Sequence, residues 1–273
     1  MARKTGTRTN PWLPIRSEAE TVTFRVFCIP HAGGGGSSFR SWVRDQPPDT
    51  EICPVQLPGR EGRLREPFPA SITEIAETLA PIVLPHLDVP YALVGNSMGA
   101  LIAVELASRL QQEYQLPPVH LVVAATWPPG AAPGMAGPPV GGLDDSEFTA
   151  VMQRRYGGIP AEVLARPELL AVFLPVLRAD MRLYEAYQYE TGRPGMAGAP
   201  LSCPVTAVVG ADDASLAAAD LAGWSAVTTG PFECVEVAGG HLALLDRAQP
   251  VLSPIYARAE HIRPAGRSAH GRP

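Results

Sequence analysis

Residues 91–100 read YALVGNSMGA, and the reading of that decapeptide decides the fold. Gly95-Asn96-Ser97-Met98-Gly99 fits G-x-S-x-G, with an apolar strand-like run before it and an apolar helix-like run after it. In that setting a serine stands on a sharp strand-to-helix turn, the geometry of a nucleophile elbow. The flanking glycines remove the Cβ atoms that would clash in such a turn. The hydroxyl then sits at the carboxyl edge of a sheet, and the free N–H groups of the following helix face any negative charge that develops there. So loose a pattern also occurs in ordinary Gly/Ser turns, so its surroundings must decide.

Outward from this stretch, short β-rich runs recur at 24–30, 51–58, 119–126, 205–210 and 233–239. They are near-continuous apolar segments, as expected for strands covered on both faces. Helical patterns lie between them. In 71–87, Ile72, Ile75, Leu79 and Ile82 share a face, and 98–112 is a helix of small and apolar residues. Strands alternating with helices predict a doubly wound, mostly parallel sheet. Length sets the scale: 273 residues, 46% of them apolar, suit one large α/β domain spanning 21–260. A flexible segment is expected over 1–20 and a disordered tail over 261–273.

The rhythm breaks at WPPGAAPGMAGPPVGG (127–142), a Pro/Gly linker followed by two or three helices before the next strand. Asp144, Asp145 or Ser146 can cap the first helix, whose apolar face is Phe148, Val151, Met152 and Tyr156. In 169–187 the face is Leu170, Phe173, Leu174, Leu177, Met181 and Tyr184. A helical insertion over about 128–199, entered by a Pro/Gly hinge, reads as a lid. Phe148, Met152, Phe173, Leu177 and Met181 are its candidate channel residues.

A serine hydroxyl is a weak nucleophile at neutral pH and needs a base, which needs an orienting carboxylate. In α/β-hydrolases the order is serine, acid, histidine, each on a loop after a strand. Here VTAVVG precedes Asp212-Asp213, and ECVEVAGG precedes His241, so order and placement both fit. The α/β-hydrolase fold with a helical lid is therefore the expected architecture. IPHAGGGGSSF (29–39) lacks the G-K-[ST] ending of a phosphate loop and reads instead as an oxyanion loop. The backbone N–H groups of Ala32 and Met98 would bind the tetrahedral oxygen, with His31 structural.

Composition excludes other classes. A net charge of −5 and the lack of a dense basic stripe give no footprint for nucleic acid. No apolar run reaches the roughly 20 residues of a membrane span, and the basic start has no signal-peptide core, so a cytoplasmic protein is expected. Cys28, Cys53, Cys203 and Cys234 form no C-x-x-C pair and are expected to be buried and reduced. No histidine spacing suggests a metal.

With these residues in place, the chain resembles the type II thioesterases, free-standing editing hydrolases of polyketide and nonribosomal peptide assembly lines. The resemblance runs in order through FCIPHAGGGGSSFRSW (27–42), VQLPGREGRLREP (55–67), GNSMGALIAVELA (95–107), LPVLRADMRLYEAY (174–187) and TTGPFECVEVAGGHLALL (228–245). It implies Ser97 as nucleophile and His241 as general base. The family's spacing from the strand-ending glycine selects Asp213 over Asp212 as orienter. It also implies acyl or peptidyl carrier proteins as partners and no cofactor of the enzyme's own, since the phosphopantetheine arm belongs to the partner. The chain departs from the family pattern at Ala214, where proline is common, at Asn96, where histidine is frequent, and at TWPPG (126–130), where a basic residue is usual. A chain-releasing cyclase, an acyltransferase and a small-molecule carboxylesterase share the same triad. A non-catalytic carrier-binding module would not need it.

Overall fold

The structure is a computed structural model, and it describes residues 10–15, 21–129, 138–187, 199–246 and 248–262. Six strands, all parallel, form one sheet in the order β2-β1-β3-β4-β5-β6. They are β1 (Phe24–Ile29), β2 (Thr50–Pro54), β3 (Tyr91–Asn96), β4 (His120–Ala124), β5 (Val205–Gly210) and β6 (Phe232–Val237). From β1 the chain adds β2 on one side, then crosses over and adds β3 to β6 in turn on the other. Crevices for ligands lie at the carboxyl ends of strands in such a sheet.

The continuous apolar composition of the strands follows from two covered faces. In β1, Phe27 and Ile29 point into the layer containing α2 (Ile72–Val83) and α3 (Met98–Tyr114). Phe24, Val26 and Cys28 point into the opposite layer, against Trp42 of α1 (Arg40–Arg44) and Leu252 and Ile255 of α8 (Gln249–Ile262). The hydroxyl of Ser71 caps α2 by accepting Glu74 N–H at 3.0 Å. Among the described residues, three helices stand between β4 and β5: α4 (Asp145–Tyr156), α5 (Ala161–Leu164) and α6 (Pro167–Ala186). Asp144 caps α4 in a capping box with Glu147. Phe148, Met152, Leu174, Leu177 and Met181 give these helices a small core of their own. A last short helix, α7 (Ala243–Asp246), follows β6.

Three expectations are corrected. Within 1–20, residues 10–15 are packed rather than free: Trp12 and Leu13 are buried in the core, Trp12 O accepts Gln56 N–H, and the Arg63 guanidinium covers the Trp12 ring at 4.2 Å. The Pro-Trp-Leu composition supplies enough apolar surface to dock. Cys234 is exposed, not buried, because β6 is an edge strand with only part of one face covered. Residues 261 and 262, placed in the expected tail, instead form the end of α8, which runs to Ile262. The rest of that tail, and 130–137 of the Pro/Gly linker, lie outside the described residues.

Candidate active site

The backbone at Ser97 turns at φ 53° and ψ −121° between β3 and α3. Such a conformation costs a non-glycine residue about 1–3 kcal/mol. The surroundings hold it: Ser97 N–H donates to Ala124 O at 2.7 Å, and Ser97 O accepts Ala100 N–H at 2.9 Å. Close packing accounts for both glycines of the pattern. A Cβ on Gly95 would lie 2.5 Å from Ala100 N, and one on Gly99 would lie 2.6 Å from Pro30 O.

His241 follows β6, and Asp213 follows β5. The imidazole Nε2 is 3.1 Å from Ser97 Oγ, and Nδ1 is 2.9 Å from Asp213 Oδ2. Three loops, distant in sequence, thus bring hydroxyl, imidazole and carboxylate into one hydrogen-bonded line at the carboxyl edge of the sheet. Asp212 is exposed, and its N–H donates to Gly239 O at 2.9 Å, tying the aspartate loop to the histidine loop. Burial by itself raises the Asp213 pKa. The hydrogen bond and charge of His241, with the donors of Ser215, outweigh that and hold the carboxyl below its ordinary value.

Ser215 is a member that the sequence reading missed. Its hydroxyl and N–H donate to Asp213 Oδ1 at 2.7 and 2.9 Å, and its Oγ stands 3.2 Å from His241 Nδ1. Tyr156 is another, its ring centroid 4.8 Å from that of His241. His31 is half-buried beside them; desolvation first, then the nearby His241 and Arg60 charges, push its pKa down to about 4. It is therefore neutral near pH 7. In the loop read as the oxyanion loop, Gly34 N–H returns to His31 O at 3.0 Å and Gly33 N–H donates to Asp180 Oδ2 at 2.7 Å. The N–H groups of Ala32 and Met98 have no hydrogen-bond partner among the described residues.

Above Ser97 and His241 is a narrow cleft walled by Met152 and Tyr156 of α4 and by Leu177, Met181 and Tyr184 of α6. Its cavity volume is about 20 Å³, room for roughly one water. A wider groove of about 380 Å³ meets it at Tyr156, His241 and Leu242 and opens beside Gly157 and 238–246. Of the five candidate channel residues, Met152, Leu177 and Met181 line the cleft. Phe148 and Phe173 do not. Phe148 fills the inserted helices' own core under the Arg178 guanidinium, 4.2 Å away, and Phe173 packs on Gly33. Periodicity places all five on inward faces but cannot separate helix-helix contacts from cleft wall. No three His, Cys, Asp or Glu side chains among the described residues gather so as to hold a metal ion. No helix among them is long and apolar enough to cross a membrane.

The Thioesterase domain model matches residues 24–258. The chain belongs to the thioesterase family. Among its relatives is the gramicidin S biosynthesis protein GrsT of Aneurinibacillus migulanus, 34% identical over 237 residues, covering 87% of this chain and 89% of GrsT. Thioesterase PikA5 of Streptomyces venezuelae is 34% identical over 245 residues, 89% of this chain and 84% of that one. Among solved structures, the type II thioesterase BorB from the borrelidin biosynthetic cluster superposes with a TM-score of 0.78 at 31% identity, covering 93% of this chain and 99% of BorB. The six-stranded sheet with its inserted helices is accordingly an α/β-hydrolase fold, and this thioesterase is a hydrolytic enzyme of the type II group.

Proposed function

We propose that this thioesterase hydrolyses acyl groups from the phosphopantetheine arm of carrier proteins, clearing stalled or aberrant chains from a polyketide or nonribosomal peptide assembly line in the cytoplasm. The observation that carries the reading is the hydrogen-bonded line Ser97–His241–Asp213 at the floor of an apolar cleft. The names of GrsT, a gramicidin S biosynthesis protein, and of BorB, a type II thioesterase from the borrelidin biosynthetic cluster, support the pathway.

Ser97 Oγ attacks the thioester carbonyl while His241 Nε2 takes its proton. The carbonyl oxygen becomes an oxyanion, which accepts hydrogen bonds from Ala32 and Met98 N–H. The C–S bond then breaks, and the proton held by His241 passes to the departing thiolate. A water deprotonated by His241 attacks the acyl-serine, the acyl–oxygen bond breaks, and Ser97 recovers its proton. Asp213 keeps the imidazole in the tautomer and orientation that both steps need, and Ser215 fixes the carboxylate. The arm's thiol is supplied and removed with the partner, so the enzyme itself needs no cofactor.

The inserted helices act as a lid. An acyl chain of several carbons exceeds a cavity of about 20 Å³, so it enters by displacing Met152, Leu177 and Met181. The groove beside Gly157 suits the polar arm. Mass spectrometry of several acyl-loaded carrier proteins, before and after exposure to the enzyme, tests reaction, partner and chain length together. Ser97→Ala should slow deacylation by about 10⁴-fold or more. Unchanged deacylation in that variant refutes the assignment.

A further inference from the structure

We infer that the buried Arg60–Asp180 pair is a positioning device for the oxyanion loop, with Asp180 acting from α6 to keep the Ala32 donor aimed at the cleft. Asp180 lies within α6 and is 1% exposed. Its Oδ2 accepts Gly33 N–H at 2.7 Å, and its carboxylate receives Arg60 in a two-pronged ion pair, Nη2 to Oδ1 at 2.8 Å and Nη1 to Oδ2. Arg60 Nη1 also donates to Gly34 O at 3.2 Å, and Nε donates to Pro58 O at 3.2 Å. The side chains of one buried pair therefore grip two successive residues of the loop.

With Gly34 N–H turned back to His31 O, the N–H of Ala32 remains for the cleft. Gly33 itself has φ +78°, and a Cβ there would stand 2.9 Å from Phe173 Cζ and 3.2 Å from Leu177 Cδ1. Loop and helix are thus joined by packing as well as by the clamp. Stability alone gives little reason for the charges, since replacing a buried ion pair with apolar residues of similar volume is often neutral or stabilising. An acceptor for Gly33 N–H is what the apolar replacement cannot provide.

The inference rests on the oxyanion role given to Ala32, and the experiment separates the two. The parent, Ser97→Ala, Asp180→Asn and the double variant Arg60→Met with Asp180→Leu are compared for kcat, KM and melting temperature on a short acyl-pantetheine thioester. Inhibition is measured with a trifluoromethyl ketone that adds to the serine as a tetrahedral adduct. The double variant should melt close to the parent yet lose about 10²-fold in kcat with little change in KM. Ketone affinity should fall by the same factor as kcat/KM. Asp180→Asn, which keeps an oxygen for Gly33 N–H, should lose less. Parent-like kcat in a double variant that melts normally overturns the inference, as does lost kcat with unchanged ketone affinity. If the double variant fails to fold, Asp180→Asn decides. Its unpaired Arg60 lowers melting in any case, so the split between kcat and KM decides: a fall in kcat with KM unchanged supports the clamp, whereas both moving together, or neither moving, overturns it. Full activity in Ser97→Ala would instead indict the catalytic reading beneath it.

Discussion

Gly99→Ala probes how closely the start of α3 must approach the oxyanion loop. The new Cβ would lie 2.6 Å from Pro30 O and nearer still to Ile29 O, whereas ordinary contact begins at 3.4 Å, a deficit of at least 0.8 Å. Both obstacles are main-chain carbonyls, at the end of β1 and the entrance to the oxyanion loop, so no side-chain rotation can relieve the clash. The first turn of α3 and the residue 30–32 backbone must separate, and they carry Met98 N–H and Ala32 N–H. Misplacement of about 1 Å costs roughly 10² in rate, and overpacking of this kind costs about 1–3 kcal/mol of stability. Steady-state turnover of a short acyl-pantetheine thioester, read beside thermal melting, gives both quantities. Gly142→Ala serves as control, because a Cβ there meets nothing within 4 Å. If Gly99→Ala keeps kcat within about threefold of the parent, the two donors are not set by this contact and the reasoning is refuted.

The remaining expectations concern the neighbouring residues. Asp213→Asn should lower kcat by about 10⁴-fold while Asp212→Asn stays near the parent, and the reverse ranking would transfer the orienting role. Because the folded state holds the Asp213 carboxyl below its ordinary value, its contribution to stability is complete above the unfolded pKa of about 3.9 and is lost as pH falls through the folded value. Melting curves of the parent and Asp213→Asn should therefore differ by a constant amount from about pH 5 to 7 and converge on further acidification; a gap that persists would contradict this. Asn96 is fully buried, and neither its Oδ1 nor its Nδ2 has a partner among the described residues. Asn96→Leu should therefore raise the melting temperature, by about 1–3 kcal/mol of unsatisfied polarity removed, and a lower one would reveal a hidden partner. Phe148→Ala should cost about 3–5 kcal/mol in chemical denaturation, whereas Met181→Ala should chiefly extend the range of acyl chains accepted; similar stability losses would place both in the core.

The sheet was legible because its inner strands carry an unmistakable burden: buried on two faces, they leave almost no polar position between the turns. Chain order likewise brought out Ser97 and His241, since each follows a strand, Ser97 two residues from a glycine on either side and His241 directly after a glycine pair. Asp213 could be separated from Asp212 only through resemblance, because adjacent residues on one loop have the same periodicity and their side chains diverge only in three dimensions. Ser215 was hidden for a related reason, its role lying in two hydrogen bonds rather than in a pattern. Asp180 did leave a sign. It falls on the same helical stripe as Phe173, Leu177 and Tyr184, where an acidic residue is out of place unless a buried cation meets it, and Arg60 is 120 residues away. Phe148 and Phe173 were misplaced because inward-facing positions serve two different interiors. Edge exposure at Cys234 depended on how little the 218–227 segment covers its face of β6, which no local signal encodes.

Two thioethers line the cleft, one from α4 and one from α6, around a space that admits about a single water. Methionine bends easily and adapts to irregular shapes. A wall of that kind yields by degrees, so successive homologous substrates should show a sloping response instead of an abrupt cut-off. Tolerance of many cargoes, more than fidelity to one, is what such compliant upholstery favours.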